Sequence, residues 1–166
     1  MAEANLQTLF HDTLRDIYYA ERKITKALPK MMRAAQSQDL KAAFEKHLSE
    51  TETQMERLEQ VFELIGQKPR GKTCAAMDGI IEEAEEIIAT YKGAAALDAG
   101  MIAAAQAVEH YEISRYGTLI SWANILNLTD AAALLEETLA EETATDEALT
   151  DLAESSVNSA AVANAA

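Results

Sequence analysis

The sequence predicts an all-α fold of four long helices, paired in two hairpins with a crossover between them, and three observations carry that prediction. Ala, Leu and Glu dominate the 166 residues while Gly and Pro number only 6 and 2, a balance that favours helix throughout. Apolar residues recur at alternating spacings of four and three, the seam of packed helices. About thirty residues separate the two hairpins, far more than a tight helix–helix loop needs.

The first helix is expected from Asn5, a suitable N-cap, to about Gln36, on the seam Phe10, Leu14, Ile17, Glu21, Ile24, Leu28, Met31 and Ala35. Pro29 should kink it or loosen one turn. Ser37 caps the second helix, which runs to Ile65 and stops at Gly66. Its seam reads Leu40, Phe44, Leu48, Thr51, Met55, Leu58, Phe62 and Ile65, with His47, Glu50 and Gln54 on the neighbouring stripe. Lys68-Pro69-Arg70-Gly71-Lys72 is a polar loop. Cys74 to Tyr91 reads as a short helix with Ile80, Ile81, Ala84, Ile87 and Ile88 on its apolar side. A Gly/Ala-rich connection leads to a helix from near Leu97, with the seam Met101, Ala105, Val108, Glu112, Arg115, Leu119, Trp122 and Leu126. The chain turns at Asn127 and Leu128, and Thr129 is expected to cap the last helix, whose seam is Leu135, Thr138, Glu142, Thr145, Leu149 and Leu152. The bundle is assigned to residues 1–155, and the Ala-, Asn- and Ser-rich stretch 156–166 is expected to be a flexible tail that frays.

A connection this long can travel the length of a bundle. The second and fourth helices are then parallel, which is the one-crossover topology of a ferritin-like four-helix bundle, here with a short fifth helix in the crossover. Laying the first hairpin on the second puts Glu21 on Glu112, Leu48 on Leu139, Glu50 on Glu141 and Leu58 on Leu149, consistent with a repeat of hairpins.

The formal net charge of −14 argues against nucleic acid or an anionic membrane as a main partner. No apolar run is long enough to span a bilayer, and the start lacks a signal-peptide pattern, so a cytoplasmic location is expected. Cys74 is the single cysteine. It makes neither a disulfide framework nor a Cys-based zinc site, and reads as a small, partly buried apolar residue. Basic residues come early and acidic ones late, and the crossover's isoleucine-rich side needs cover, so a homodimer is expected.

Glu21, Glu112 and Glu142 occupy seam positions where Leu would be expected. A carboxylate there must be protonated, paired or bound to a cation. At 1.5 Å per residue, Glu21 lies about 24 Å and Glu50 about 20 Å from the turn at Ser37, while Glu112 lies about 22 Å from the turn at Asn127 and Glu142 about 20 Å along the returning helix from Thr129. Both hairpins therefore bring carboxylates to mid-length, where all four can meet at one level. Like charges in a low-dielectric core raise one another's pKa or recruit cations, and two divalent cations balance four such charges. Oxygen-rich ligation with one or two imidazoles suits iron or manganese. His47, one turn before Glu50, Glu109, one turn before Glu112, and Asp146, one turn after Glu142, are the next candidate ligands. His110 lies on a different face from Glu112. Against this stands a plainer reading, in which Glu21 pairs with Arg22 and Glu112 with Arg115. Tyr18, Tyr19, Tyr111 and Tyr116 read as packing residues, and the run Glu82-Glu83-Ala84-Glu85-Glu86 as a solvated face.

The segments Tyr18-Tyr19-Ala20-Glu21, His47-Leu48-Ser49-Glu50-Thr51, Glu109-His110-Tyr111-Glu112 with Tyr116-Gly117-Thr118-Leu119, and Glu141-Glu142-Thr143 through Asp146 resemble the YciE/YciF family of bacterial ferritin-like proteins. The resemblance runs from about Leu6 to Glu154. It implies a cytoplasmic, dimeric four-helix bundle associated with stress responses and similar to rubrerythrins and other di-iron carboxylate proteins. The expected function is stress protection through a dinuclear iron or manganese carboxylate site that oxidises Fe(II) or consumes peroxide, with peroxide or oxygen as the small oxidant. The alternative is a non-enzymatic dimeric stress protein whose buried carboxylates are ion-paired or vestigial. The di-iron pattern takes Glu-x-x-His from two of its helices, whereas Thr53 and Thr145 stand where those histidines would be. That departure leaves three arrangements open: a carboxylate-only site, one using His47 in reversed order, or a weak one.

Overall fold

Helix caps set the element boundaries. In the computed structural model, which describes residues 4–163, the Asn5 side chain accepts from the Thr8 N–H at 2.9 Å and opens α1 (Leu6–Ala34). Ser37 does the same for α2 (Gln38–Leu64), accepting from Leu40 N–H at 3.3 Å. Cys74 opens α3 (Ala75–Thr90), its sulfur receiving the Met77 N–H at 3.3 Å. α4 (Leu97–Ile125) and α5 (Thr129–Leu152) complete the bundle, and no strand occurs among the described residues. One boundary differs from expectation. Thr129 is the first residue of α5 rather than its cap, and Leu128 stands at the cap position without a side-chain bond. Asn127 makes the reversal instead, at φ 59°, with Leu128 N–H bonded back to Ala123 O at 2.8 Å. Gly66, at φ 67°, ends α2 in the same way, and Gln67 N–H returns to Phe62 O at 2.9 Å.

α1 runs unbroken through Pro29. The missing N–H falls near the helix end, and Leu28 and Met31 on either side of it are buried. Past Leu152 the chain continues as a π-helical turn (Ala153–Val157) and a short α6 (Asn158–Ala163). The wider turn keeps Ala153 and Val157 buried beside α4. The segment set apart at 156–166 in the sequence reading is thus helical to Ala163, and residues 164–166 lie outside the described residues.

α1 pairs with α2 and α4 with α5; α2 also packs on α5 and α1 on α4, closing a four-helix ring, while α3 lies on α4 and α1. Two sets of hydrogen bonds fix the direction of the crossover. At the end where α2 finishes, Lys72 N–H bonds Arg15 O at 3.0 Å. At the other end, the buried Asp98 accepts from Gln36 N–H at 2.9 Å and Ser37 N–H at 2.7 Å, the two donors of the α1–α2 turn. The crossover therefore climbs the bundle, α2 and α4 are parallel, and the fold is the expected ferritin-like bundle with a short crossover helix. A Cβ at Gly100 would stand 2.7 Å from Ile87 Cγ2, so glycine there lets the end of α3 sit down on α4. Ile80, Ile81 and Ile88 pack against the core. The bundle itself covers part of the isoleucine face expected to need cover, and those side chains remain half-buried.

All eight expected seam residues of α1 are buried. On α2 the buried residues are Leu40, Phe44, His47, Thr51, Gln54, Leu58, Val61 and Phe62, leaving Leu48, Met55 and Ile65 half-buried. On α4 the buried line passes through Tyr116 and Ala123, not Arg115 and Trp122. Both differences have one cause. The mid-bundle layer is polar, and the apolar residues beside it were the wrong guide to the inward face. Among the described residues no helix is long and apolar enough to cross a membrane.

Candidate metal centre

Each of the four bundle helices turns at least one ionisable side chain into this middle layer. α1 supplies Glu21, α2 His47, α4 both Glu109 and Glu112 one turn apart, and α5 Glu142. Glu21, Glu112 and Glu142 are 0 % exposed, Glu109 1 % and His47 4 %. One donor atom from each of His47, Glu109, Glu112 and Glu142 lies within 4.8 Å of the other three. His47 Nε2 is 3.2 Å from Glu109 Oε1. Glu21 closes the group from the far side, its carboxyl meeting that of Glu112 and receiving the buried Tyr116 hydroxyl on Oε1.

What the layer lacks is a cation. Arg22, the expected partner of Glu21, is exposed and lies 6.0 Å from the Tyr18 ring centre. Arg115, the expected partner of Glu112, lies 4.9 Å from the Tyr111 ring centre and donates to that hydroxyl at 3.1 Å. Among the described residues no Lys or Arg pairs with Glu21, Glu109, Glu112 or Glu142. Apart from their contacts with one another, both carboxyl oxygens of Glu112 and of Glu142, one oxygen each of Glu21 and Glu109, and both ring nitrogens of His47 are buried without a hydrogen-bond partner. Such groups are costly unless protonated or ligated.

Electrostatics follow from this crowding. Burial, then the Glu142 charge, pushes the Glu21 carboxyl up to about 8, against the pull of its bonds to Tyr116 and Glu112. Burial and the same neighbour raise Glu109 and Glu112 well above the ordinary carboxylate range. Burial lowers His47, only partly opposed by Glu142. Its imidazole is therefore neutral near pH 7 and free to ligate. The donor set, several carboxylate oxygens and one imidazole nitrogen, fits a hard or borderline divalent cation.

The structure separates the other named residues from this group. Glu50 is half-buried, with one oxygen paired to Lys46 and the other, Oε2, buried and unpartnered beside the layer. The α2 stripe turns His47 inward, and that rotation carries Glu50 to its edge. Asp146 sits outside the cluster, bonded by Gln106 Nε2 at 3.2 Å and by the exposed His110 at 3.1 Å. Tyr116, read from sequence as a packing residue, is the one clear omission. A buried Tyr one turn after Glu112 was the available signal, because a buried hydroxyl needs a partner.

A one-crossover bundle with a buried carboxylate–histidine cluster at mid-length defines the class, a ferritin-like helical protein with a centre that can hold a metal ion. The chain belongs to the DUF892 family, a domain of unknown function whose model matches residues 5–162. It is 48 % identical over 135 residues to Protein YciF of Escherichia coli K12, covering 81 % of each chain. The crystal structure of that E. coli stress protein superimposes with a TM-score of 0.89 at 47 % identity, covering 94 % of this chain and 99 % of that one. YcfI, a proposed structural protein of Rhodopseudomonas palustris, gives 0.87 at 48 % identity, with 90 % and 97 % covered. A Xanthomonas campestris protein at 20 % identity shares the fold, with a TM-score of 0.73.

Proposed function

We propose that this chain is a bacterial stress protein that binds two divalent iron or manganese ions in its middle layer and uses them against oxidants. The observation that carries the reading is the convergence of unpartnered buried carboxylate oxygens on one another with no cation beside them. The similarity to the E. coli stress protein YciF supports the stress association. Glu21, Glu109, Glu112 and Glu142 would hold the ions, with His47 as the nitrogen donor and Glu50 joining when it leaves Lys46. Bound there, Fe(II) or Mn(II) supplies one-electron redox chemistry toward dioxygen or peroxide, and an oxygen-rich ligand set favours the higher oxidation state.

The chain's own residues do the rest. Glu21, Glu109 and Glu112, raised by burial, would give up their protons on binding a cation, whose charge would offset the cost of burying theirs. Tyr116 holds Glu21 in place through its hydroxyl, and the apolar seams above and below exclude bulk water. Protein purified without chelator should carry iron or manganese by elemental analysis. Loaded anaerobically with Fe(II), it should develop ferric absorbance faster than free Fe(II) once oxidant is added. Glu21→Ala and Glu142→Ala should each abolish that acceleration, whereas Glu83→Ala on the exposed face of α3 should leave it intact. Protein that binds no metal, or a Glu83 effect as large as the core effects, turns the assignment toward a non-enzymatic helical stress protein.

A further inference from the structure

An apolar cavity of about 30 Å³ lies beside the carboxylate layer. Its inner end is formed by His47 and Glu109, the pair 3.2 Å apart at the edge of the cluster. Its outer end lies under the crossover helix, where Lys30 and Glu85 form an exposed ion pair at 2.7 Å across α1 and α3. Between these ends the walls are hydrocarbon apart from Thr145, and include Leu28, Phe44, Ile88, Val108 and Leu149. The room comes from small residues on four helices, Ala27, Ala43, Ala84 and Ala105 among them. This space is continuous with the candidate centre and absorbs none of its ligands except at the inner end.

We propose that this cavity is a binding site for dioxygen, the oxidant that the centre takes in preference to peroxide. A volume of this size holds about two water-sized spheres, which suits a diatomic molecule. Water stays in a cavity only when it finds two to four polar partners, and away from its two ends this one offers at most the Thr145 hydroxyl. Peroxide donates and accepts hydrogen bonds and meets the same obstacle. Dioxygen does neither, so it enters an apolar space without losing hydrogen bonds to solvent. It would arrive beside His47 and Glu109 with the crossover helix as roof and the Lys30–Glu85 pair over the outer end. The role of the gas as oxidant rests on the metal reading above; its residence in the cavity does not.

The test therefore begins with metal-free protein in chelator. Under a few atmospheres of dioxygen, paramagnetic broadening of the methyl resonances of Ile24, Leu28, Val108 and Leu149, all buried and lining the cavity, should exceed that of Leu14 and Leu135, which are buried but do not line it. Crystals pressurised with xenon should show one site between Phe44 and Ile88. Ala84→Leu, which fills the cavity from the crossover helix and touches no candidate ligand, should abolish both signals. In Fe(II)-loaded protein the same variant should slow oxidation by dioxygen several-fold and leave oxidation by peroxide unchanged. Equal broadening of all buried methyls in the wild-type chain, or ordered water in the cavity, overturns the site, and that result stands even if the variant fails to fold. Equal slowing of both oxidants, or of neither, overturns the preference for dioxygen. Failure to bind metal would sink the proposed function and leave the gas measurement untouched.

Discussion

Two neighbours on α5 show how completely surroundings decide the fate of a carboxylate. Glu141 takes both guanidinium nitrogens of Arg57 at 2.7 Å and Gln54 Nε2 at 3.1 Å. Burial raises its pKa, but these bonds win and hold it below the usual value. Glu142, one residue on, points into the core and finds only other carboxyls and His47. A side chain of the second kind opposes folding when no cation is present. Glu112→Leu should therefore stabilise the metal-free protein, by ~1–4 kcal/mol on the pattern of buried charges replaced by hydrocarbon. Urea unfolding in chelator measures this, and a clear loss of stability would make Glu112 a structural partner instead. The seam Glu positions were legible because a carboxylate at a Leu position breaks a period. The inward turn of His47 and the outward turn of Glu50 were not, because both lie on a polar stripe whose rotation depends on what the facing helices present.

At the level of elements, the crossover shows what sequence can and cannot supply. Its length announced the topology, and its isoleucines announced an apolar face. Which surface that face would cover was set by packing, with Gly100 making room for Ile87. Its far end is held by two side chains, Gln36, whose Nε2 donates to Ala94 O at 2.8 Å, and Asp98. Asp98 accepts the N–H groups of Gln36 and Ser37, joining the start of α4 to the α1–α2 turn. Asp98→Ala leaves both donors without that acceptor and should cost about 1–3 kcal/mol. Thermal unfolding in chelator reads that loss, and amide exchange at Gln36 and Ser37 should quicken ahead of the bundle interior. No such loss would mean that water replaces the carboxylate.

Across the whole molecule, charge couples stability to pH. Glu21 is raised from its ordinary 4.5 to about 8, and Glu109 and Glu112 are raised with it, by burial first and by their shared neighbours next. A group raised in the folded state favours folding below its unfolded value and loses that contribution as pH climbs through the folded value. His47 is lowered and opposes folding only below its unfolded value of 6.5. From about pH 6.5 up to about 8, where Glu21 titrates in the folded state, the raised carboxyls therefore dominate. The metal-free protein should melt earlier as pH rises, by ~2–4 °C for each kcal/mol lost. Bound divalent metal should flatten that dependence, and a metal-free melting temperature that holds or rises would contradict the raised carboxyls. Association is the other global expectation. Leu9, Leu64 and Ile125 are 49 %, 48 % and 66 % exposed where α1 begins and α2 and α4 end, the same end of the bundle. This end is a stronger ground for a homodimer than the crossover's isoleucines, which the bundle already half buries. Light scattering at micromolar concentration should give twice the chain mass, and Ile125→Glu should reduce it; a monomeric wild type ends that expectation.

The cluster is divided unevenly between the two hairpins. The first carries Glu21 and His47, one carboxyl and one imidazole, while the second carries Glu109, Glu112 and Glu142. Each hairpin can close on local contacts, and the like charges come fully together only when the hairpins dock. The electrostatic penalty thus falls on the last association step, not on helix formation or hairpin closure. Refolding kinetics inherit that order. If the proposed metal is bound, its removal should slow the late docking phase in stopped-flow refolding and leave the early helical phase unchanged, and mild acid should restore the docking rate.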